Sequence, residues 1–234
     1  MKSDILDAEM YPPFSGFPRE GIKFLKQLKK NNNREWFAKH KSEFEDFVKL
    51  PMQSLIASLR DPMGDVAPEF DVHPKRSLFR IYRDTRFSNN KTPYKTHVAA
   101  VFHLRGNWQG SAGYYLHVEP GQVFLGGGIY MPDSAQLKKI RGAISERQGE
   151  FLSIVENKSF RKKFGGLEGE KLKRNPLGYS VDHPMIEWLK HKQFFSGVEW
   201  DEKTCYSPRL VGNVVQVYKD LLPLIRFLNE ALGV

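Results

Sequence analysis

Apolar residues along this chain change their spacing twice. From about residue 18 to 30, Ile22, Leu25 and Leu28 recur at three-residue steps, the spacing that lines one face of a helix. The run "NNNREWF" interrupts that pattern and starts another, with Asn32 expected as N-cap and Glu35 three residues on as the return half of a capping box. The second helix buries a stripe of Phe37, His40, Phe44, Phe47 and Val48. Pro51 suits the first turn of a further helical segment that reaches about Arg60, where "DPMGDVAPEFD" supplies breakers. From residue 77 the period falls to two: "SLFRIY", "HVAAVFHL", "GYYLHVE" and "QVFLGGGIY" read as four strands. "EPGQ" sets Pro120 and Gly121 at the centre of a type II turn, so the third and fourth form a hairpin. Helical spacing then returns. Asp133 and Gln136 cap a helix to about Arg147, further helices reach about Phe164, and "LKRNPLGYSVDHP" is a long loop. A helix from about Pro184, an edge strand at "QFFSGVEW" and a terminal helix capped by Ser207, with Pro208 at its first position, complete the chain.

This order of elements predicts an α+β fold: a largely antiparallel central sheet flanked by N-terminal and C-terminal helices, with a sheet face or edge left for a ligand. Residues 1–13 read as a flexible tail ending at Pro12 and Pro13, and 14–234 as a single α+β domain without internal repeats. At 234 residues, 40% of them apolar and 13% aromatic, the chain can fill a substantial core. It has no apolar run of membrane-spanning length, and its N-terminus lacks the pattern of a secretory leader. The expectation is a cytoplasmic protein with no membrane partner. Cys205 is the one cysteine, which excludes an internal disulfide and a cysteine-built zinc cluster.

Thirty-six basic against twenty-seven acidic residues leave a formal charge of +9, with a pI near 9.5, which raises interest in anionic partners. Cations concentrate in three probable loops, at 80–97, 158–163 and 171–174. The first is interleaved with aromatic rings and a turn. In "RIYRDTRFSNNKTPYKTH", Arg80, Arg83, Arg86, Lys91 and Lys95 share one local acid, Asp84. Arginine offers a planar fork for carboxylate or phosphate and lysine a mobile point charge, so these five are the candidate ligand-binding residues. Asp84 is placed to orient Arg83 or Arg86, and Thr92 and Pro93 turn Lys91, Tyr94 and Lys95 toward the same point. If 78–83 is a strand, Arg80 and Tyr82 share its outer face while Phe79 and Ile81 point to the core. The bland reading is an Arg and Asp network that holds a loop together, but one Asp cannot balance five cations.

These segments resemble the family catalogued as domain of unknown function 2461. The resemblance rests on "RIYRDTRFSNNKTPYKT", the upstream "FLKQLKKNNNREWF" and the downstream "GYYLHVEPG", "GGGIYMP" and "LKRNPLGY", in that order, and covers nearly the whole chain from Phe14. It implies a single fold and marks positions without supplying a reaction. An acid often stands in the family where this chain has Asn90.

Other clusters carry less weight. Gly126, Gly127 and Gly128 follow a strand and precede a helix start, where backbone N–H groups can meet an anion; their spacing is not that of a P-loop, and a bulge or room for a neighbouring side chain explains them as well. Arg141, two turns into that helix, would add a cation. Alternation puts His97 and His103 on one strand face, and Tyr115, His117 and Glu119 on one face of the next. If those faces coincide, His117 and Glu119 join Asp84 and Tyr94 as candidates for proton transfer. No compact metal motif is present, and no cofactor is named by any motif. Lys173 and Arg174 form a second basic loop that folding could bring to the first. Three functions compete: a pocket for a small anionic, phosphorylated or carboxylated ligand, which could be an enzyme site; a nucleic-acid-binding module stacking bases on Tyr82, Phe87 and Tyr94; and a scaffold for an acidic protein. The pocket ranks first, because no familiar nucleic-acid motif is present.

Overall fold

The computed structural model describes residues 10–86, 88–107 and 110–234. The fold is α+β, with helices toward both termini and a four-stranded antiparallel sheet. Its strands are β1 (Val98–Phe102), β2 (Gly113–Glu119), β3 (Gln122–Ile129) and β4 (Phe194–Asp201), neighbours in that order. The β2–β3 hairpin turns at Pro120 and Gly121 as expected, and Gly121 takes the positive φ of 100° that position i+2 of a type II turn requires. "QFFSGVEW" supplies the edge strand β4. "SLFRIY" does not form a regular strand. Leu78 and Tyr82 make isolated antiparallel bridges to Ala100 and Tyr94. Four steps of chain separate 78 from 82 whereas six separate 94 from 100, so the second segment bulges by two residues between the bridges and regular pairing cannot continue.

By compactness the chain forms two units. The first comprises Met1–Phe102, Tyr115–Leu125 and Glu199–Gln216. Residues 1–9 of the expected tail lie outside the described residues; by Phe14 the chain is buried, its N–H donating to Ser58 Oγ at 3.1 Å. Helix α1 (Arg19–Lys30) buries Ile22, Leu25 and Leu28 as its spacing predicts, together with Phe24. The next helical stretch is segmented: α2 (Arg34–Lys39), α3 (Lys41–Phe44), a π-helical turn (Glu45–Lys49) and α4 (Leu50–Val66). Pro51 has no N–H to give Phe47, four residues back. The freed Phe47 carbonyl lies against Gly21 of α1, where a Cβ would collide with it, so the glycine admits the close approach. Helix α4 runs six residues beyond Arg60, through Pro62. Its apolar residues Leu55, Ile56, Leu59 and Met63 are all buried, and that burial outweighs the local breaker.

The N-cap of α2 is Asn33, one residue later than expected, its side chain accepting from Trp36 N–H at 2.9 Å. Glu35 pairs with Lys39 instead of closing a box. Of the predicted stripe, Phe37, Phe44 and Val48 are buried, while His40, between α2 and α3, and Phe47, within the π-helical turn, are half-buried.

The second unit comprises His103–Tyr114, Gly126–Val198 and Val217–Val234. Its helix α5 (Ser134–Glu146) carries the predicted capping box in both directions, Asp133 accepting from Gln136 N–H and Gln136 from Asp133 N–H. Helices α6 (Gln148–Val155), α7 (Lys158–Phe164) and α8 (Ile186–Leu189) follow. Most of the last helix, α9 (Leu210–Leu232), belongs to this unit, where Leu221, Leu224, Ile225 and Leu228 are fully buried. It starts two residues after Pro208; Ser207 Oγ instead accepts from Arg209 N–H in the preceding turn.

Candidate functional site

The basic loop lies in the first unit and is tied down by backbone and by one asparagine. Arg83 N–H donates to Pro93 C=O (2.9 Å) and Lys95 N–H to Ile81 C=O (2.8 Å), so 81–83 and 93–95 face each other across the Tyr82–Tyr94 bridge. Asn32, free of the expected capping duty, clamps Tyr94 from both sides: its amide donates to Tyr94 C=O at 2.9 Å and its carbonyl accepts from Tyr94 N–H at 3.0 Å. The Tyr94 ring, 5% exposed, stacks on Phe37 with centroids 4.1 Å apart. Burial first, then the neighbouring Tyr82, raises its phenol pKa above the ordinary value, while Arg34 pulls the other way. Tyr94 therefore anchors the loop in the aromatic core. Ile81 points inward and Tyr82, 52% exposed, points outward as expected, but Phe79 is 38% exposed, since 78–83 lacks the regular strand pleat that would have buried it.

The cations have different environments. Asp84 is taken by Arg86, which donates Nε–H to Oδ1 (3.0 Å) and Nη2–H to Oδ2 (2.7 Å). That fork holds the Asp84 carboxyl at about 2, below the usual range. Arg83 has another partner. The residue is half-buried and its guanidinium donates to Thr92 Oγ1, a neutral hydroxyl whose own proton goes to Asn90 Oδ1 (2.8 Å). Among the described residues neither Arg83 nor Arg80 has an ion pair. Lys91 donates to Thr85 C=O at 2.9 Å and stays exposed. Lys95 donates to Arg80 C=O at 3.1 Å and lies 4.7 Å over the Phe79 ring.

A second group adjoins these residues on β2 and the start of β3. His117 Nδ1 lies 3.2 Å from Tyr115 Oη, and its Nε2 3.3 Å from Gln122 Nε2 and 3.6 Å from Glu119 Oε1. An amide nitrogen only donates, so Nε2 is the acceptor and Nδ1 carries the ring proton. The ring of His97, in the bulge before β1, is 5.3 Å from that of His117. His97 thus reaches the His117 side of β2 from outside β1, by way of the bulge and not by strand alternation. Burial lowers both imidazoles to about 4, and for His97 the neighbouring His117 and Lys95 add to the effect. Both rings are neutral at neutral pH. Among the described residues no group of three His, Cys, Asp or Glu is arranged to hold a metal.

The remaining candidates belong to the second unit. Gly127 and Gly128 lie within β3. A Cβ at 127 would meet Ile225 and Leu221 side chains, and one at 128, where φ is +134°, would run into Phe194 backbone, so room for neighbours describes both. Arg141 caps carbonyls at the C-terminal end of α8, donating to Leu189 C=O at 2.7 Å and His191 C=O at 3.1 Å. Lys173 and Arg174 are exposed. In the first unit, Cys205 is buried and free, its thiol pushed up to about 12 chiefly by burial. Sequence reading passed over the clamp by Asn32 and the support of Arg83 by Thr92. The asparagine run was the one available signal for the first, and it fits a cap equally well.

What the fold and loop define is an α+β protein with a basic loop pinned to an aromatic core. The chain belongs to the family described as conserved hypothetical protein (DUF2461), which matches residues 20–227. No curated protein matches it. No helix among the described residues is long and apolar enough to cross a membrane.

Proposed function

We propose that the loop 80–95 binds a small anionic ligand through a phosphate or carboxylate, with Arg83 as the fork and Arg80 and Lys95 as flanking charge. The observation that carries this reading is the environment of Arg83. The residue is half-buried and its guanidinium is oriented by a neutral hydroxyl, while the acid that would have neutralised it is engaged bidentately by Arg86. A fixed fork with its charge uncompensated loses little freedom when it meets a planar anion. Asp84 thus acts on Arg86, and Arg86 with Lys91 forms the outer, exposed part of the site. His117 and Glu119 place an imidazole and a carboxylate 3.6 Å apart as candidates for proton transfer, which makes an enzyme the first form of this function to test.

The exposure of Tyr82 beside Arg80 supports a second reading, stacking of a single-stranded nucleic acid. Binding measured from about 50 to about 200 mM salt separates the two: an oligonucleotide held by six or more phosphates loses about a thousandfold in affinity, a pocket anion far less. Arg83→Lys keeps the charge and loses the fork. It is expected to weaken a pocket anion about tenfold, or about 1.4 kcal/mol. Tight oligonucleotide binding with the steep slope and no response to Arg83→Lys would replace the pocket by the nucleic-acid interface.

A further inference from the structure

The segment between the bridges at 94 and 100, longer by two residues than the one it faces, begins with Lys95, Thr96 and His97, with bends at the last two. Bulges re-aim side chains beside functional sites. Lys95 is half-buried here and has no carboxylate partner among the described residues; its Nζ touches the Arg80 carbonyl at 3.1 Å and the face of Phe79 at 4.7 Å. A lysine that only carried charge would be expected to extend into water, since its stem is flexible and its head strongly hydrated. This one is folded back against a ring and beside a second cation, the surroundings in which an amine becomes a nucleophile. The next ionisable side chain, His97, has no hydrogen-bond partner among the described residues and packs on His117.

We propose that Lys95 is a nucleophilic amine that forms an imine with a small anionic carbonyl compound, a 2-oxo acid or a phosphorylated aldehyde or ketone, whose anionic group is held by Arg83. This rests on the anion-binding reading of the same loop. Burial first, and then Arg80, lowers the Lys95 pKa from its ordinary value, which enlarges the fraction with a free lone pair, while the Phe79 ring acts in the opposite direction. His97 is neutral at neutral pH and adds no further charge beside the amine. In the step itself the ammonium first loses one proton to solvent. The nitrogen lone pair then bonds to the carbonyl carbon as the C=O π pair moves to oxygen. One N–H proton transfers to that oxygen, and the proton shed at the start returns to the hydroxyl. The C–O bond breaks, water leaves with the bonding pair, and the nitrogen lone pair closes the C=N bond of a cationic iminium. Charge and atoms balance: one ammonium and one carbonyl give one iminium and one water.

The test uses the full chain and pyridoxal 5′-phosphate, an aldehyde bearing a phosphate, as probe. After a short exposure the imine is reduced with borohydride and the adduct located by peptide mapping. Exposed Lys29 and Lys162 serve as internal references. Labelling of Lys95 about tenfold above those references, suppressed by inorganic phosphate and absent in Lys95→Arg, supports the proposal. A thermal shift with inorganic phosphate is run on the same unmodified protein, so the conclusion does not depend on how well the variant folds. Labelling spread over surface lysines while phosphate still stabilises the wild type overturns the imine and leaves the anion site standing. Absence of both selective labelling and stabilisation overturns the two together.

Discussion

Phe37 shows how one side chain connects core and site. It is 4% exposed, stacks on Tyr94, and meets Phe24 and Phe44 with centroids 6.3 and 5.5 Å away. Phe37→Ala should cost about 3–5 kcal/mol, the usual penalty for emptying a buried aromatic position, and chemical denaturation measures it. Because Tyr94 lies on that ring, the variant should also loosen the loop, seen as faster amide exchange at Tyr94 and Lys95. A loss below about 1 kcal/mol would mean that the aromatic cluster does not support the loop.

At the scale of elements, capping decides where helices begin and what their neighbours can do. The Asp133–Gln136 box at α5 was legible because both halves are local in sequence and nothing competes for Asp133. Asp133→Ala should destabilise the protein by about 1 kcal/mol, with Asp133→Asn recovering most of it; thermal unfolding of the two variants checks this. The second helix behaved differently. Three consecutive asparagines can each cap, and Asn32 is diverted to a residue 62 positions away. That choice between Asn32 and Asn33 is made by the packing of Tyr94 on Phe37, which spacing along the chain does not encode. The strand at 78–83 failed for a related reason. Its alternation is sound, but pairing needs a partner of equal length, and the bulge at 95–99 removes it.

At the scale of the whole molecule, titration offers a global test. His97, His117 and His191 are lowered from the ordinary 6.5 to about 4, in each case first by burial. The unfolded chain therefore takes up protons that the folded one refuses between those values. The stability these groups contribute is complete above about 6.5, falls as pH drops, and is gone below about 4. The melting temperature should decline through that window, and His117→Gln should flatten the decline. An unchanged slope in that variant would remove His117 from the set of buried neutral imidazoles.

Periodicity, capping residues and the Pro-Gly turn by themselves determined the α+β class, the β2–β3 hairpin, the edge strand and most helix bounds, because these depend on near neighbours and on which face is apolar. The basic loop was equally visible, since its excess of cations over acids is a local count. Only tertiary structure decided how those charges are divided: that Asp84 goes to Arg86 and not to Arg83, that Tyr94 faces the core, and that the bulge folds Lys95 back over Phe79. Those outcomes depend on Asn32 and Phe37, which meet the loop from about sixty positions away, and on the mismatch in length between two paired segments. Such contacts are set by packing between distant parts of the chain, which no local pattern records.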